Sequence, residues 1–189
     1  SFDNLGENVV YITKAGEIGL YRLGGTEKIL LKTNTEVSLK VALAEYLDQD
    51  FLVISEGQLA TVYRGKISGT DFSLDEMETI ETATLGFSPE EIYEFNGGRI
   101  VVAREGGSLA VFDAERKKFA AFALVKPDFF FLDNYLIATI ENEQLVVRDF
   151  DGENTRAITA AQAEFPAVIS ANGDYLYKVE NAALGREKL

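Results

Sequence analysis

The run Asp149-Phe-Asp-Gly-Glu-Asn154 sets two alternate carboxylates and an amide around a glycine, and oxygen donors at that spacing suit a hard cation such as calcium. The glycine stands two residues too early for an EF-hand loop and no glutamate follows at the twelfth position, so Asp149, Asp151 and Asn154 are weak calcium candidates. The favoured alternative is a strand-connecting turn, in which Asp and Asn accept backbone N–H groups and Gly152 takes positive φ. Glu76, Glu78, Glu81, Glu90, Glu91 and Glu94 concentrate negative charge in another region. They are the partner-binding candidates, suited to steering a basic partner, and a solvated acidic loop is the plainer account. Gly24-Gly25, Gly97-Gly98 and Gly106-Gly107 lack the strand-to-helix context of a phosphate loop and read as turns. Phe129-Phe-Phe131, with Phe119 and Phe122, offers an aromatic platform or, as the favoured reading, packing between sheets. Arg116-Lys-Lys118 is too small a basic cluster, on so acidic a chain, to be more than a solvated turn.

The chain contains neither His nor Cys. That removes the commonest general base at neutral pH, the soft metal ligands, and every Ser-His or Cys-His nucleophile. Carboxylate-only chemistry of the glycosidase kind remains formally open, yet nothing marks a pair. The expectation is a protein that is not an enzyme and carries no cofactor. Thirty-one acidic against 18 basic residues give a formal charge of -13, which disfavours nucleic acid and anionic membrane surfaces as partners. No apolar run approaches the roughly 20 residues of a spanning helix. Ser1-Phe2-Asp3-Asn4 has no signal-peptide character, and the opening on Ser1 with an end at Leu189 suggests a piece of a longer protein.

What would position these residues is a repeated strand phrase. With 47% apolar residues the chain is a folded one, and its apolar stretches are rich in Val, Ile, Thr, Tyr and Phe, which favour pleated sheets over helices. A polar residue, an apolar stretch, a Gly- or Asn-containing turn and an alternating stretch recur in five copies. These begin at Asn8, Asp50, Arg99, Asn134 and Asp174, with spacings of 42, 49, 35 and 40 residues. That period is typical of a four-stranded propeller blade. Weaker strand signals complete the units: Glu27–Lys32, Val37–Leu43, Lys118–Leu124, Asp128–Leu132, Thr155–Thr159 and Phe165–Ile169. Turn residues at Leu23–Thr26, Asn96–Gly98 and Ala171–Asp174 separate them. Ser73–Thr82 reads as a helical insertion between the second and third units. Ser88-Pro-Glu-Glu-Ile-Tyr reads as one helical turn capped by Ser88, with Pro89 at its first position.

The segment Val147-Arg-Asp-Phe-Asp-Gly-Glu-Asn-Thr-Arg-Ala-Ile-Thr159, followed by Ala171-Asn-Gly-Asp-Tyr-Leu-Tyr177, resembles the repeat of TolB-type, WD40-like β-propellers. Asp149, Asp151, Gly152, Asn154, Arg156, Ile158 and Thr159 carry the match, with Asn172-Gly173-Asp174 in the place of the Pro-Asp-Gly-Lys-like turn. The other four copies keep only the hairpin pattern. The resemblance implies a binding platform of the kind found in extracytoplasmic parts of bacterial membrane-anchored proteins, some of which carry PEGA modules.

The expected fold class is therefore all-β, a β-propeller of WD40-like four-stranded blades, about five with the last incomplete, or a fragment of a larger propeller. The units run over approximately 1-35, 36-82, 83-124, 125-160 and 161-189. A β-sandwich or open stack of hairpins is the structural alternative. The expected function is a scaffold for protein–protein interaction in an envelope-associated protein. Its alternative is a carbohydrate-binding or carbohydrate-active propeller with carboxylates and aromatics at the ring mouth.

Overall fold

The computed structural model describes residues 2–25, 27–32, 37–67, 74–95, 97–124, 129–131, 136–161, 168–169, 175–180 and 183–188. The chain is all-β, built of antiparallel sheets of the propeller-blade type. The first sheet is β1 (Phe2–Leu5), β2 (Asn8–Ile12), β3 (Glu17–Arg22) and β4 (Glu27–Lys32). The second is β5 (Leu39–Tyr46), β6 (Gln49–Glu56), β7 (Leu59–Gly65) and β8 (Glu78–Thr84). The third is β9 (Glu91–Phe95), β10 (Ile100–Glu105), β11 (Ser108–Asp113) and β12 (Lys118–Ala123). The fourth is β13 (Phe129–Phe131), β14 (Leu136–Glu141), β15 (Gln144–Asp149) and β16 (Arg156–Ala160). A three-stranded sheet follows, β17 (Val168–Ile169), β18 (Tyr175–Glu180) and β19 (Ala183–Lys188). In every sheet the strands are hydrogen-bonded in chain order, and among the described residues no sheet shares a strand with another, as a continuous sandwich would require.

Two sequence expectations are corrected. The acidic stretch before the third unit is not a helix or an insertion between units: Glu78–Thr84 is the fourth strand of the second sheet. Helical structure there is limited to one 3-10 turn, Leu74–Glu76, and Ser73 lies outside the described residues. Thr79, Thr82 and Thr84 of β8 pair with Tyr63, Thr61 and Leu59 of β7, with an irregularity at Ile80, so β-branched residues with a waiting edge override the acidic composition. The extra length falls instead between β7 and β8. Likewise Glu91–Phe95 is strand β9, with Ile92, Tyr93 and Phe95 paired to β10, and the Glu90 N–H to the Arg104 carbonyl (2.8 Å) extends the ladder towards Ser88. The turn expected at Ala171–Asp174 lies outside the described residues, as does most of Phe165–Ile169.

The chain divides into two compact units, Ser1–Ala121 and Phe122–Leu189. In the first, strict alternation along the second sheet sorts its side chains onto two faces. Ala42, Ala44, Phe51, Val53, Ala60 and Val62 join Val101, Ala103, Ala110 and Phe112 of the third sheet in one core. Val41, Leu43, Leu52 and Ile54 join Val10, Ile18 and Leu20 of the first sheet in another. A sheet covered on both faces needs apolar residues at consecutive positions, which is why Phe51–Ile54 reads as an unbroken apolar run. The innermost strands β1, β5 and β9 lie against one another.

Asp3 ties these inner strands together. Its Oδ2 accepts the Leu43 N–H at 2.9 Å, a bond from β1 to β5. Burial pushes its pKa above the ordinary 3.8, outweighing backbone N–H bonds from Leu43, Glu94 and Asn4, and the Glu94 charge pushes the same way. Because the folded value is the higher one, the contribution of Asp3 to stability is complete below about pH 3.8 and is lost as pH rises through the raised value. Asparagine does not titrate. The melting midpoint of the native chain, measured relative to Asp3→Asn, is therefore expected to fall as pH is raised from 3.5 to 7; a constant difference would remove this account of Asp3.

In the second unit Ala138, Ile140, Leu145 and Val147 form one face of β14 and β15, packed with Leu176 of β18 and Ala161. Arg148 is buried, ion-paired to Glu141, whose Oε1 also accepts the Thr139 hydroxyl at 2.7 Å.

Candidate interaction surface

In each meander the loop between the first and second strands and the loop between the third and fourth lie at the same end of the sheet. Two clefts open at that end. One, of about 420 Å³ in the second sheet, is lined by Asp48 and Gln49 of the β5–β6 turn and by Arg64, Gly65 and Lys66 where β7 ends. The other, of about 460 Å³ in the fourth sheet, is lined by Leu136, Val147, Asp149, Asn154, Thr155 and Arg156.

The six candidate glutamates are not brought together. Glu76 closes the 3-10 turn, Glu78 and Glu81 stand on the outer strand β8 of the second sheet, and Glu91 and Glu94 stand on the inner strand β9 of the third, with Glu90 just before it. Three of them have defined structural tasks. Glu78 pairs with Arg64 directly opposite on β7, Glu91 pairs with Arg104 at 2.8 Å across β9 and β10, and Glu94 accepts the Gly98 N–H at 2.7 Å. Other carboxylates behave in the same way: Asp50 takes the Ile67 N–H at 2.6 Å, and buried Asp113 takes the Glu115 N–H at 2.8 Å. An acid bonded to a backbone N–H closes a turn.

At the calcium candidates, Asp151 Oδ1 accepts the Glu153 N–H at 3.1 Å, Asn154 donates its side-chain amide to Asp149 Oδ2 at 2.6 Å, and Gly152 has φ +88. Asn154 itself sits at φ +49. These oxygens serve a turn, and an amide N–H, not an amide oxygen, faces the Asp149 carboxylate. Among the described residues no group of three or more acidic side chains is placed to hold a metal ion. Millimolar calcium is accordingly expected to leave the melting midpoint unchanged; a saturable rise that Asp149→Asn abolishes would show that the loop rearranges to bind it.

The aromatic residues pack against one another: Phe129 and Phe131 edge-on at 5.9 Å between ring centroids, and Phe112 tilted against Phe119 at 5.3 Å. No protein-family model matches the chain, and no curated protein matches it. Among solved structures it is similar to TolB from Acinetobacter baumannii, with a TM-score of 0.42 and 14% identity, over 96% of this chain and 49% of that one. The chain spans about half the length of that structure.

Next to the β5–β6 turn that lines the first cleft stands a cluster whose contacts the sequence did not reveal. Arg99 lies over the Tyr46 ring, 5.4 Å from its centroid, and pairs with Glu115, which also accepts the Tyr46 hydroxyl at 2.9 Å. Tyr46 comes just before Leu47 and Asp48, which both have positive φ, at 48° and 58°. The signal for Leu47 was in the repeat: the corresponding loop of the first sheet is Gly6-Glu7, with Gly6 at φ 58°.

Proposed function

We propose that the chain is a non-catalytic β-propeller scaffold for protein–protein interaction, belonging to a larger, envelope-associated bacterial protein. The observation that carries the proposal is the use made of the acidic side chains. Asp3, Asp50, Asp113, Asp151 and Glu94 accept backbone N–H groups, and Glu78, Glu91 and Glu115 answer arginines. Carboxylates held in this way maintain turns and sheet edges, and they are not poised as an acid and base about a substrate. What remains for recognition is the loop end of rigid sheets, where binding residues are held by a packed framework. The resemblance of 147–159 to TolB-type repeats supports the envelope assignment.

The test combines two measurements on the purified chain. Turnover should be undetectable with glycoside, ester, peptide and phosphate-ester substrates. A protein partner identified by cross-linking in the source cell should bind the chain again when both are purified. Turnover in any class overturns the non-catalytic part, and a partner that fails to bind on reconstitution overturns the scaffold part.

A further inference from the structure

Leu47 combines two features that are unfavourable for a folded chain on its own. It is 76% exposed, and it sits at φ +48, a left-handed conformation that costs a branched side chain free energy and that glycine or asparagine takes readily. The loop requires that conformation: Tyr46 pairs with Gln49, so Leu47-Asp48 is a two-residue hairpin turn with both residues at positive φ. Gly6 takes the first position of the same loop in the first sheet, so nothing in the repeat demands leucine.

The turn is also held firmly. Glu45 donates its N–H to the Gly98 carbonyl at 2.8 Å, and Tyr46 is fixed beneath Arg99 and bonded to Glu115. An apolar side chain displayed on a braced turn loses little freedom when a partner covers it, which is what a recognition anchor needs. Backbone strain at such a position is a pointer to function.

The 420 Å³ cleft begins beside it. Lys66, exposed at the end of β7, has no ion-pair partner among the described residues, whereas Arg64 is neutralised by Glu78. Asp48 lines the turn side of the cleft.

We propose that Leu47, Asp48 and Lys66 form the docking site for an extended protein segment that pairs an apolar side chain with an adjacent acidic one. The apolar side chain covers Leu47, the acid pairs with the Lys66 ammonium, and Asp48 accepts a backbone N–H of the segment. The attraction is local: within the cleft Arg64 is answered by Glu78 and the Lys66 ammonium by no carboxylate among the described residues, so an acid that enters gains a pair there against the long-range repulsion of a chain of net charge -13. This site rests on the scaffold function proposed above and names the partner chemistry for it.

The test uses synthetic acetylated 12-residue peptides in four classes, apolar or polar residues alternating with acidic or basic ones, titrated into the isotope-labelled chain. Acidic-apolar peptides should shift the amide signals of residues 47–49 and 64–66 saturably. Leu47→Asn and Lys66→Glu should each weaken that binding at least tenfold. Leu47→Asn should also raise the melting midpoint by about 2–4 °C, because it relieves the turn while removing the anchor. A change that stabilises the fold and abolishes binding is not what a structural leucine would produce. If acidic-apolar peptides bind equally to both variants, or only basic peptides bind, the site is overturned and the scaffold function stands. If no class binds, the site is overturned, and the scaffold function is decided separately by reconstitution with the cross-linked partner. Concentration-dependent self-association that Leu47→Asn removes would make a second copy the occupant and overturn the acidic segment.

Discussion

Replacing Gly98 with alanine is expected to lower the unfolding free energy by about 3 kcal/mol, from overpacking against close neighbours added to the cost of a left-handed backbone. Gly98 has φ +87, and a Cβ there would lie 2.7 Å from Leu5 Cδ1 and 3.0 Å from the Glu45 backbone nitrogen. The Glu45 nitrogen is backbone and cannot retreat, and the half-buried Leu5 methyls can do so only by giving up packing. Leu5 packs in the core shared by the first and second sheets, and Glu45 N–H is bonded to the Gly98 carbonyl itself. Gly98 also donates to Glu94 at 2.7 Å, so a displaced loop weakens bonds to two inner strands at once. Gly97 is the internal control: it too has positive φ, at 63°, but a Cβ there meets nothing within 4 Å. Gly97→Ala should cost only about 1 kcal/mol, the backbone part alone. The chain has no Trp, so urea unfolding followed by far-UV circular dichroism is the suitable measurement. Equal losses for the two variants would show that the close approach at Gly98 contributes nothing.

Phe112→Ala is expected to cost about 4 kcal/mol, the usual range for emptying a fully buried aromatic site. Phe112 is 0% exposed on β11, edge-on to Phe51 of β6 at 5.8 Å and 63°, and tilted against Phe119 at 5.3 Å. The walls of the vacated space are sheets held by their own ladders, so collapse into it is limited and most of the cavity persists. Phe51→Ala should cost a similar amount. The double variant should lose less than the sum by about 1 kcal/mol, since each single change already removes the ring–ring contact. Urea midpoints of the four proteins give the cycle, and strict additivity would mean that the two rings act on separate parts of the core.

Much of the architecture was legible because strands advertise themselves by side-chain type and period. Glu27–Lys32 is β4 residue for residue, and the central hairpins follow from Val-, Ile- and Phe-rich stretches flanked by turn residues. The two failures share a cause. Ser73–Thr82 and Ser88–Tyr93 carry local helix signals, acidic residues in one and a Ser-Pro start in the other, and both were overridden by pairing to a neighbouring strand. Local preference is worth tenths of a kcal/mol per residue, and a ladder with packed side chains is worth more.

The candidate surface was less legible. A glutamate written in a sequence carries no sign of whether an arginine stands across the strand from it, as Arg64 does for Glu78 and Arg104 for Glu91. Nor does a leucine between Tyr46 and Asp48 declare its backbone angle or its exposure. The sequence by itself determined that this is a β-rich, repeated and strongly acidic chain lacking His and Cys, since composition and period are properties of neighbours along the chain. Only the tertiary structure decided which carboxylates close turns, which glycine has a neighbouring strand pressed against it, and which leucine stands in solvent. The Asp151 turn is local and shows in the sequence, but contacts between distant residues, such as Asp3 with Leu43 and Gly98 with Leu5, are encoded by no local pattern.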